Sequence, residues 1–308
     1  MKILVTGGAG FIGSNLVKQL QADGVDHVAV IDDFSTGFRK NLKGLDVELF
    51  EGSILDRDLL AAAAKDTHAI VHLAARPSVP RSIQDPVASH HANATGTLYV
   101  LEEARKSNAH VSLASSSSVY GANKQLPKVE SMRPMPISPY AVSKLATEAY
   151  ALAYNAVYDL PVLPFRFFNV YGPGQAAGHA YAAVIPAFLD AALKGEPLPI
   201  QGDGLQTRDF TFVQTVTETI SKAARERIDS NDAVNLAFGT RTSLLEVVSI
   251  IEDQLQKNIE RNFLPARVGD VRDSQASNDS LVSLFPEIQP VDLKFGISET
   301  IKWFKQIM

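Results

Sequence analysis

Lys2-Ile3-Leu4-Val5-Thr6-Gly7-Gly8-Ala9-Gly10-Phe11-Ile12-Gly13 decides the fold of this chain. Its first residues read as a short, mostly apolar strand of the kind buried on both faces. Gly7, Gly10 and Gly13 follow at Gly-x-x-Gly-x-x-Gly spacing, and Phe11 opens a helical stretch to Ala22. Glycines at such a turn allow backbone N–H groups to approach a pyrophosphate at a helix N-terminus. They could equally serve a plain strand-to-helix turn. The dinucleotide reading is favoured by an acid at the end of the next strand, Asp32, with Asp33 beside it. A carboxylate there accepts hydrogen bonds from the ribose of NAD and repels the extra phosphate of NADP. Arg39 and Lys40 in the next loop leave NADP open, but a solvated basic loop end accounts for them more simply. NAD is the expected cofactor.

Outward from this turn, short apolar runs alternate with longer amphipathic ones. Strands are expected at Ile3–Thr6, Val28–Asp32, Val47–Phe50, Ala69–Leu73, Val111–Ala114 and Val162–Phe167. Helices are expected at Phe11–Ala22, Arg57–Lys65, Pro86–Lys106 and Pro139–Tyr158. Such alternation predicts an α/β fold, a Rossmann-type doubly wound parallel sheet. After Asn169 the texture changes: a loop, a helix at Val184–Lys194, and a turn-rich Pro197–Gly204 with a short strand. Ser243-Leu244-Leu245-Glu246 is a capping box opening a helix to about Gln256, and Ile297–Ile307 has helical apolar spacing. We therefore expect a dinucleotide domain over residues 1–168, rejoined by a segment near 211–240, and a smaller C-terminal substrate domain over 169–308.

Composition narrows the class. A chain of 308 residues that is 45% hydrophobic and 20% charged is ordinary for a water-soluble globular protein. Its net charge of −5 gives no global field for nucleic acid or an anionic membrane. No cysteine is present, which removes disulfides, thiolate nucleophiles and Cys-based zinc sites together. The N-terminus has no leader-like pattern and no apolar run is long enough for a membrane span, so a cytoplasmic location is expected. His90 and His91 face apart on a helix, an arrangement unsuited to metal ligation, and no metal site is expected.

The chemistry is written between Leu113 and Lys144. Ser115-Ser116-Ser117-Ser118-Val119-Tyr120-Gly121 is followed by Tyr140-Ala141-Val142-Ser143-Lys144. Tyr-x-x-x-Lys places phenol and ammonium one helical turn apart. A cation there favours the phenolate, and we expect Lys144 to lower the Tyr140 pKa towards working pH. Such a tyrosine can exchange a proton with an alcohol. Without the glycine turn, an exposed i,i+4 pair would be the simpler account.

Taken together, the motifs resemble the extended short-chain dehydrogenase/reductase family, within it the nucleotide-sugar 4-epimerases. The matching segments are Thr6–Gly13, Asp32–Gly37, His72–Ala75, Ser115–Gly121, Tyr140–Lys144, Arg166–Pro173, Gly202–Gly204 and Arg208–Phe210. The resemblance implies that Tyr140 is the acid/base for the sugar 4-hydroxyl, Lys144 binds the nicotinamide ribose, and Ser116 is the catalytic hydroxyl. It implies hydride transfer from C4 to NAD, rotation of a 4-keto sugar, and return of hydride to the opposite face. Further NAD contacts carried over are Gly7, Gly10, Phe11, Ile12, Gly13, Asp32, Asp33, Ser35, Thr36, Gly37, Ser53, Ile54, Leu73, Ala74 and Ala75. Substrate contacts carried over are Ser78, Ser117, Ser118, Asn169, Ala183, Val184, Arg208, Arg267, Asp270 and Ser274. Arginine suits diphosphate because its planar fork donates in pairs. Arg208 could instead form a structural ion pair with Asp203 or Asp209, and His72 reads as a satisfied core histidine.

Relatives that dehydrate or decarboxylate carry an acid just after the catalytic hydroxyl, where this chain has Ser117-Ser118, and cysteine-dependent epimerases are excluded by composition. C4 epimerisation remains. Ser274 matches a position where a bulky tyrosine restricts the sugar pocket; serine leaves room for a C2 acetamido group. The expected substrate is a UDP-hexose of UDP-glucose or UDP-N-acetylglucosamine type, with UDP-glucuronate or a net NAD-linked reductase as alternatives. Two departures stand out: Gly52-Ser53-Ile54 for Gly-Asp-Ile, and Phe212-Val213-Gln214-Thr215-Val216 for Tyr-Val-Asp-Asp-Val. A homodimer through the helices around Val87–Lys106 and Pro139–Tyr158 is also implied.

Overall fold

The computed structural model describes residues 1–177, 183–265 and 272–308. β1 (Lys2–Thr6), β2 (His27–Asp32), β3 (Glu48–Glu51), β4 (Ala69–His72), β5 (His110–Ser116) and β6 (Val162–Phe167) lie in one parallel sheet. The apolar runs of β1, β2, β4, β5 and β6 are buried on both faces and every residue of β4 is buried, whereas β3 at the sheet edge leaves Leu49 exposed. The chain winds outward from β1 to β3, then crosses back to β4 on the other side of β1. That reversal opens a crevice at the C-terminal ends of β1 and β4, where such folds bind ligands.

α1 (Phe11–Ala22), α2 (Arg57–Ala63), α3 (Val79–Gln84), α4 (Pro86–His90), α5 (Gly96–Ser107) and α6 (Pro139–Tyr158) connect these strands. The single helix expected over Pro86–Lys106 is interrupted by a π turn at His91–Thr95. The Asn93 carbonyl accepts from the hydroxyls of Thr97 (2.5 Å) and Thr147 (3.3 Å), which compete with the regular backbone ladder. β3 sits one residue later than expected, in the register that pairs Glu48–Glu51 with Ala29–Asp32.

Beyond β6 come β7 (Asn169–Tyr171), α7 (Val184–Lys194), β8 (Leu198–Gln201), β9 (Thr207–Arg208), β10 (Phe210–Phe212) and α8 (Val213–Glu226). β11 (Val234–Leu236) then returns to the main sheet, parallel to β6 at its edge. β12 (Thr242–Ser243), α9 (Leu244–Leu255), β13 (Arg261–Leu264), α10 (Asp279–Leu284) and α11 (Leu293–Ile307) complete the chain. The capping box is present in full: the Ser243 hydroxyl accepts from Glu246 N, and the Glu246 carboxylate accepts from Ser243 N. α11 starts before Ile297 because the Asp292 carboxylate caps Lys294 N and Phe295 N.

One face of the sheet is packed by Leu16, Leu20, Val216 and Ile220 of α1 and α8, the other by Val100, Leu101 and Ala151 of α5 and α6. A separate apolar cluster joins Tyr171, Phe188, Phe210, Phe212, Val247, Ile251, Ile297 and Phe304. Among the described residues, no helix is long and apolar enough to cross a membrane.

Candidate active site

The glycine turn occupies the crevice as bare backbone. Gly7 takes φ +73°, and a Cβ there would lie 2.8 Å from Ala74 N. A Cβ on Gly13 would lie 2.2 Å from the Gly7 carbonyl oxygen, so α1 can start this close to β1 only with glycine. Gly10 caps α1 without a side-chain hydrogen bond, and no acid sits in the helix's first turn. An uncapped helix start at a strand end suits an anionic ligand. Leu73, Ala74 and Ala75 form the opposite lip; Leu73 N donates to Thr6 O and Ala74 N to the Thr6 hydroxyl.

Asp32 does more than await a ribose. One carboxylate oxygen accepts from Ala9 N and the other from Phe34 N, each at 2.8 Å, so it ties the glycine turn to the loop after β2. Burial pushes its pKa up while those backbone donors pull it down. Asp33 accepts from the Ser35 amide and hydroxyl, Thr36 follows, and a Cβ on Gly37 would fall 2.8 Å from Ala9 C. Arg39 pairs with Glu51 and lies over the Phe34 ring at 4.4 Å, so this guanidinium is already engaged. Ser53 accepts from Leu55 N, and Ile54 is buried near Gly96.

The catalytic trio forms at the end of β5. α6 starts at Ser138, whose hydroxyl caps Ala141 N, with Pro139 in its first turn. Tyr140 N donates to the Ser82 hydroxyl, which fixes the helix start against α3. The Tyr140 side chain hydrogen-bonds Ser116, and the Ser116 oxygen also accepts from the Ser118 amide and hydroxyl. Lys144 is buried and donates through Nζ to the Ala114 carbonyl at 2.8 Å.

The expected Lys144 effect on Tyr140 is not what the structure shows. Burial raises the Tyr140 pKa, opposed by the Ser116 hydrogen bond, while burial pushes Lys144 down to about 8. The ammonium is drawn to β5 by Ala114 O, and desolvation outweighs it. Without ligand, Tyr140 rests as a phenol.

Glu148, one turn beyond Lys144, was missed in the sequence. Its carboxylate accepts from Ser115 at 2.9 Å and from two guanidinium nitrogens of Arg166 on β6, at 3.0 and 2.5 Å. Both charged groups are 5% exposed or less. Arg166 also donates to Glu130 O and lies over the Tyr120 ring at 4.8 Å, and Tyr120 donates to Asn235. Arg166 opens one of the matching segments and Glu148 lies one turn past another, but only the fold brings them together. Asn93, also missed, donates to the Ser143 hydroxyl at 2.9 Å and receives Arg76 N at 2.7 Å. His72 is a core histidine, between the hydroxyls of Thr6 and Thr97, and burial pushes its pKa down to about 3.

The expected substrate contacts are only partly gathered. Asn169 starts β7, and its amide and side chain both donate to the Asp209 carbonyl. The Arg208 guanidinium donates to the carbonyls of Thr207 and Arg272, and the partner of Asp203 is Arg272. Ser274 is buried, with its amide on Thr207 O. Ser78, at φ 98°, caps α3; Ser117 starts the turn after β5; Ala183 precedes Val184 at the start of α7. Arg267 and Asp270 lie outside the described residues.

Known proteins place this arrangement in context. The NAD dependent epimerase/dehydratase family model matches residues 3–237. The chain is 36% identical to a UDP-glucose 4-epimerase of Mycolicibacterium smegmatis, covering 99% of both chains. A UDP-N-acetylglucosamine 4-epimerase from Methanobrevibacter ruminantium, solved with UDP-N-acetylmuramic acid, superposes with a TM-score of 0.94 at 35% identity, covering 100% of this chain and 99% of that one. A UDP-glucuronic acid 4-epimerase from Bacillus cereus, solved with UDP-glucuronic acid and NAD, gives 0.91 at 30% identity over 100% of both. With its glycine turn, Asp32 and the Ser116–Tyr140–Lys144 set in place, this chain belongs to the NAD dependent epimerase/dehydratase family.

Proposed function

We propose that this chain is an NAD-dependent UDP-hexose 4-epimerase of UDP-glucose or UDP-N-acetylglucosamine type. The observation that carries the reading is the Ser116–Tyr140 hydrogen bond beside buried Lys144, with serines at 117 and 118 where a dehydrating or decarboxylating relative has an acid. Bound NAD supplies a reversible store for the C4 hydride. Tyr140 accepts the proton of the sugar 4-hydroxyl and later returns it, with Ser116 orienting that exchange. Lys144 holds the nicotinamide ribose and, once a ligand joins it, favours the phenolate. Ser117 and Ser118 offer hydroxyls but no acid at C5 or C6, so the 4-keto sugar is reduced again rather than dehydrated.

The residues named for NAD fit it: an uncapped glycine-rich helix start for the pyrophosphate, and Asp32 for the adenosine ribose. Asn169, Arg208, Arg267, Asp270 and Ser274 are assigned to the nucleotide and sugar, with Ser78, Ala183 and Val184 along the pocket. The division into a NAD domain over 1–168, rejoined near 211–240, and a substrate domain over 169–308 is supported by the separate apolar cluster around Tyr171 and Phe188. Val142, Ala149, Tyr150, Ala153 and Val157 are exposed on α6 as a helical stripe, which supports a homodimer through this helix. A cytoplasmic site of action suits a nucleotide-sugar enzyme without cysteine.

The test is a panel of UDP-glucose, UDP-N-acetylglucosamine and UDP-glucuronate, with C4 products read by NMR. Inversion at C4 without net reduced nicotinamide is expected; steady accumulation of NADH would overturn the reading. Turnover of UDP-glucuronate alone would favour the acid-sugar alternative, which the Bacillus cereus relative keeps in view.

A further inference from the structure

Asp209 is fully buried, yet its carboxylate faces a ring of hydrogen-bond donors from parts of the chain far apart in sequence. One oxygen accepts from Gly239 N and Ala276 N, both at 3.1 Å, and the other from the Thr240 hydroxyl at 2.8 Å. Phe238 N also donates to it. Its own main-chain carbonyl accepts from both nitrogens of Asn169 at 3.2 Å. One residue thus joins the start of β7, the β9–β10 junction, the loop after β11 and the segment ending at Ala276.

These are the segments that carry Asn169, Arg208 and Ser274. Local contacts pass the restraint to each of them. Thr207 N and its hydroxyl donate to Asp273, Ser274 N donates to Thr207 O, and Arg208 donates to the carbonyls of Thr207 and Arg272. Main-chain N–H groups can only donate, so the oxygen that faces Gly239 and Ala276 must be an acceptor. An asparagine can keep its carbonyl oxygen on those two amides and turn its NH2 to the Thr240 hydroxyl, so it keeps the pairing but loses the charge that strengthens each bond.

We infer that Asp209 is a positioning residue for UDP: its carboxylate clamps the walls that hold the nucleotide diphosphate and sugar, without touching either. This inference rests on the nucleotide-sugar reading. The clamp lies on segments of the wall formed after β6, whereas the glycine turn and Asp32 lie on β1 and β2. Loss of the clamp should therefore weaken UDP and spare NAD, a split that general destabilisation would not produce.

The experiment is calorimetric titration of the full chain with UDP and, separately, with NAD, for the wild type and the variants Asp209→Asn, Asp209→Ala and Thr240→Val. Expected are a rise in the UDP Kd of at least tenfold for Asp209→Ala, three- to tenfold for Asp209→Asn and about twofold for Thr240→Val. The NAD Kd should stay within twofold, and kcat with saturating UDP-sugar within threefold. Should Asp209 variants not fold, Thr240→Val still decides: a selective loss of UDP affinity supports the clamp, an unchanged one overturns it. Parallel weakening of UDP and NAD also overturns it. A wild type that binds NAD but not UDP refutes the nucleotide-sugar reading and the clamp with it, whereas UDP binding without epimerisation would refute the reaction and leave the clamp standing.

Discussion

The two walls of the crevice are made of different material. On the dinucleotide side the wall is backbone: glycines at 7, 10 and 13 leave room, and Asp32 straps the turn to its neighbouring loop. On the catalytic side the wall is made of polar side chains: the half-buried Ser116 and Tyr140, and the buried Ser115, Glu148 and Arg166. A wall of backbone is vulnerable to added atoms. A wall of paired polar groups is vulnerable to removed ones.

The largest effect should come from the smallest deletion on the catalytic side. Tyr140→Phe removes one oxygen, and kcat should fall by about 10²–10⁴-fold, the usual scale of general acid–base catalysis. NAD titration should still show binding; a variant that turns over normally would remove Tyr140 from the chemistry.

Next comes the buried ion pair. Glu148→Gln or Arg166→Met alone strands a buried charge and should cost about 3–5 kcal/mol in urea unfolding. The double variant Glu148→Leu/Arg166→Met should recover most of that loss, because two apolar groups need no partners. Equal losses in the singles and the double would show that shape, not charge balance, is what the pair supplies.

On the backbone side, Gly13→Ala brings a methyl to 2.2 Å from the Gly7 oxygen. The turn must open, costing about 1–3 kcal/mol as other overpacking changes do, and NAD affinity should drop at least tenfold. Unaltered NAD titration would mean that the turn has slack the geometry does not suggest.

The smallest expected effect lies behind the walls. His72 and His110 are buried neutral, with pKa values pushed down by burial to about 3 and about 4. Unfolding restores the ordinary value of 6.5, so the unfolded chain binds more protons below that pH. Stability from these residues is complete above pH 6.5 and is lost as pH falls towards 4 and 3. Between pH 7.5 and 5.5 each should cost about 1 kcal/mol, seen as a falling thermal midpoint. A His72→Gln variant should show a shallower fall; an identical slope would clear His72 of the effect.

Much of this was legible in the sequence because its signals are local. Gly7, Gly10 and Gly13 announce a turn, Asp32 ends a strand, and Tyr140 and Lys144 fall one helical turn apart. The π turn at His91–Thr95 was not legible, since it depends on Thr147 reaching Asn93 from another helix. The pairing of Glu148 with Arg166 stayed silent for the same reason: neither residue points to the other until β5, β6 and α6 are assembled. The expected lowering of the Tyr140 pKa failed because pair spacing carries no information about desolvation.

The return of β11 to the edge of β6 bears on how the chain is made. A ribosome delivers Ser116, Tyr140, Lys144 and Arg166 well before Val234–Leu236, yet β6 has an open edge until those three residues arrive. Open edges invite pairing with other chains. The nascent protein must therefore carry a complete set of reactive groups on an unfinished sheet while some seventy further residues are synthesised, and a stop codon shortly after Phe167 would release a fragment prone to aggregate rather than a smaller enzyme.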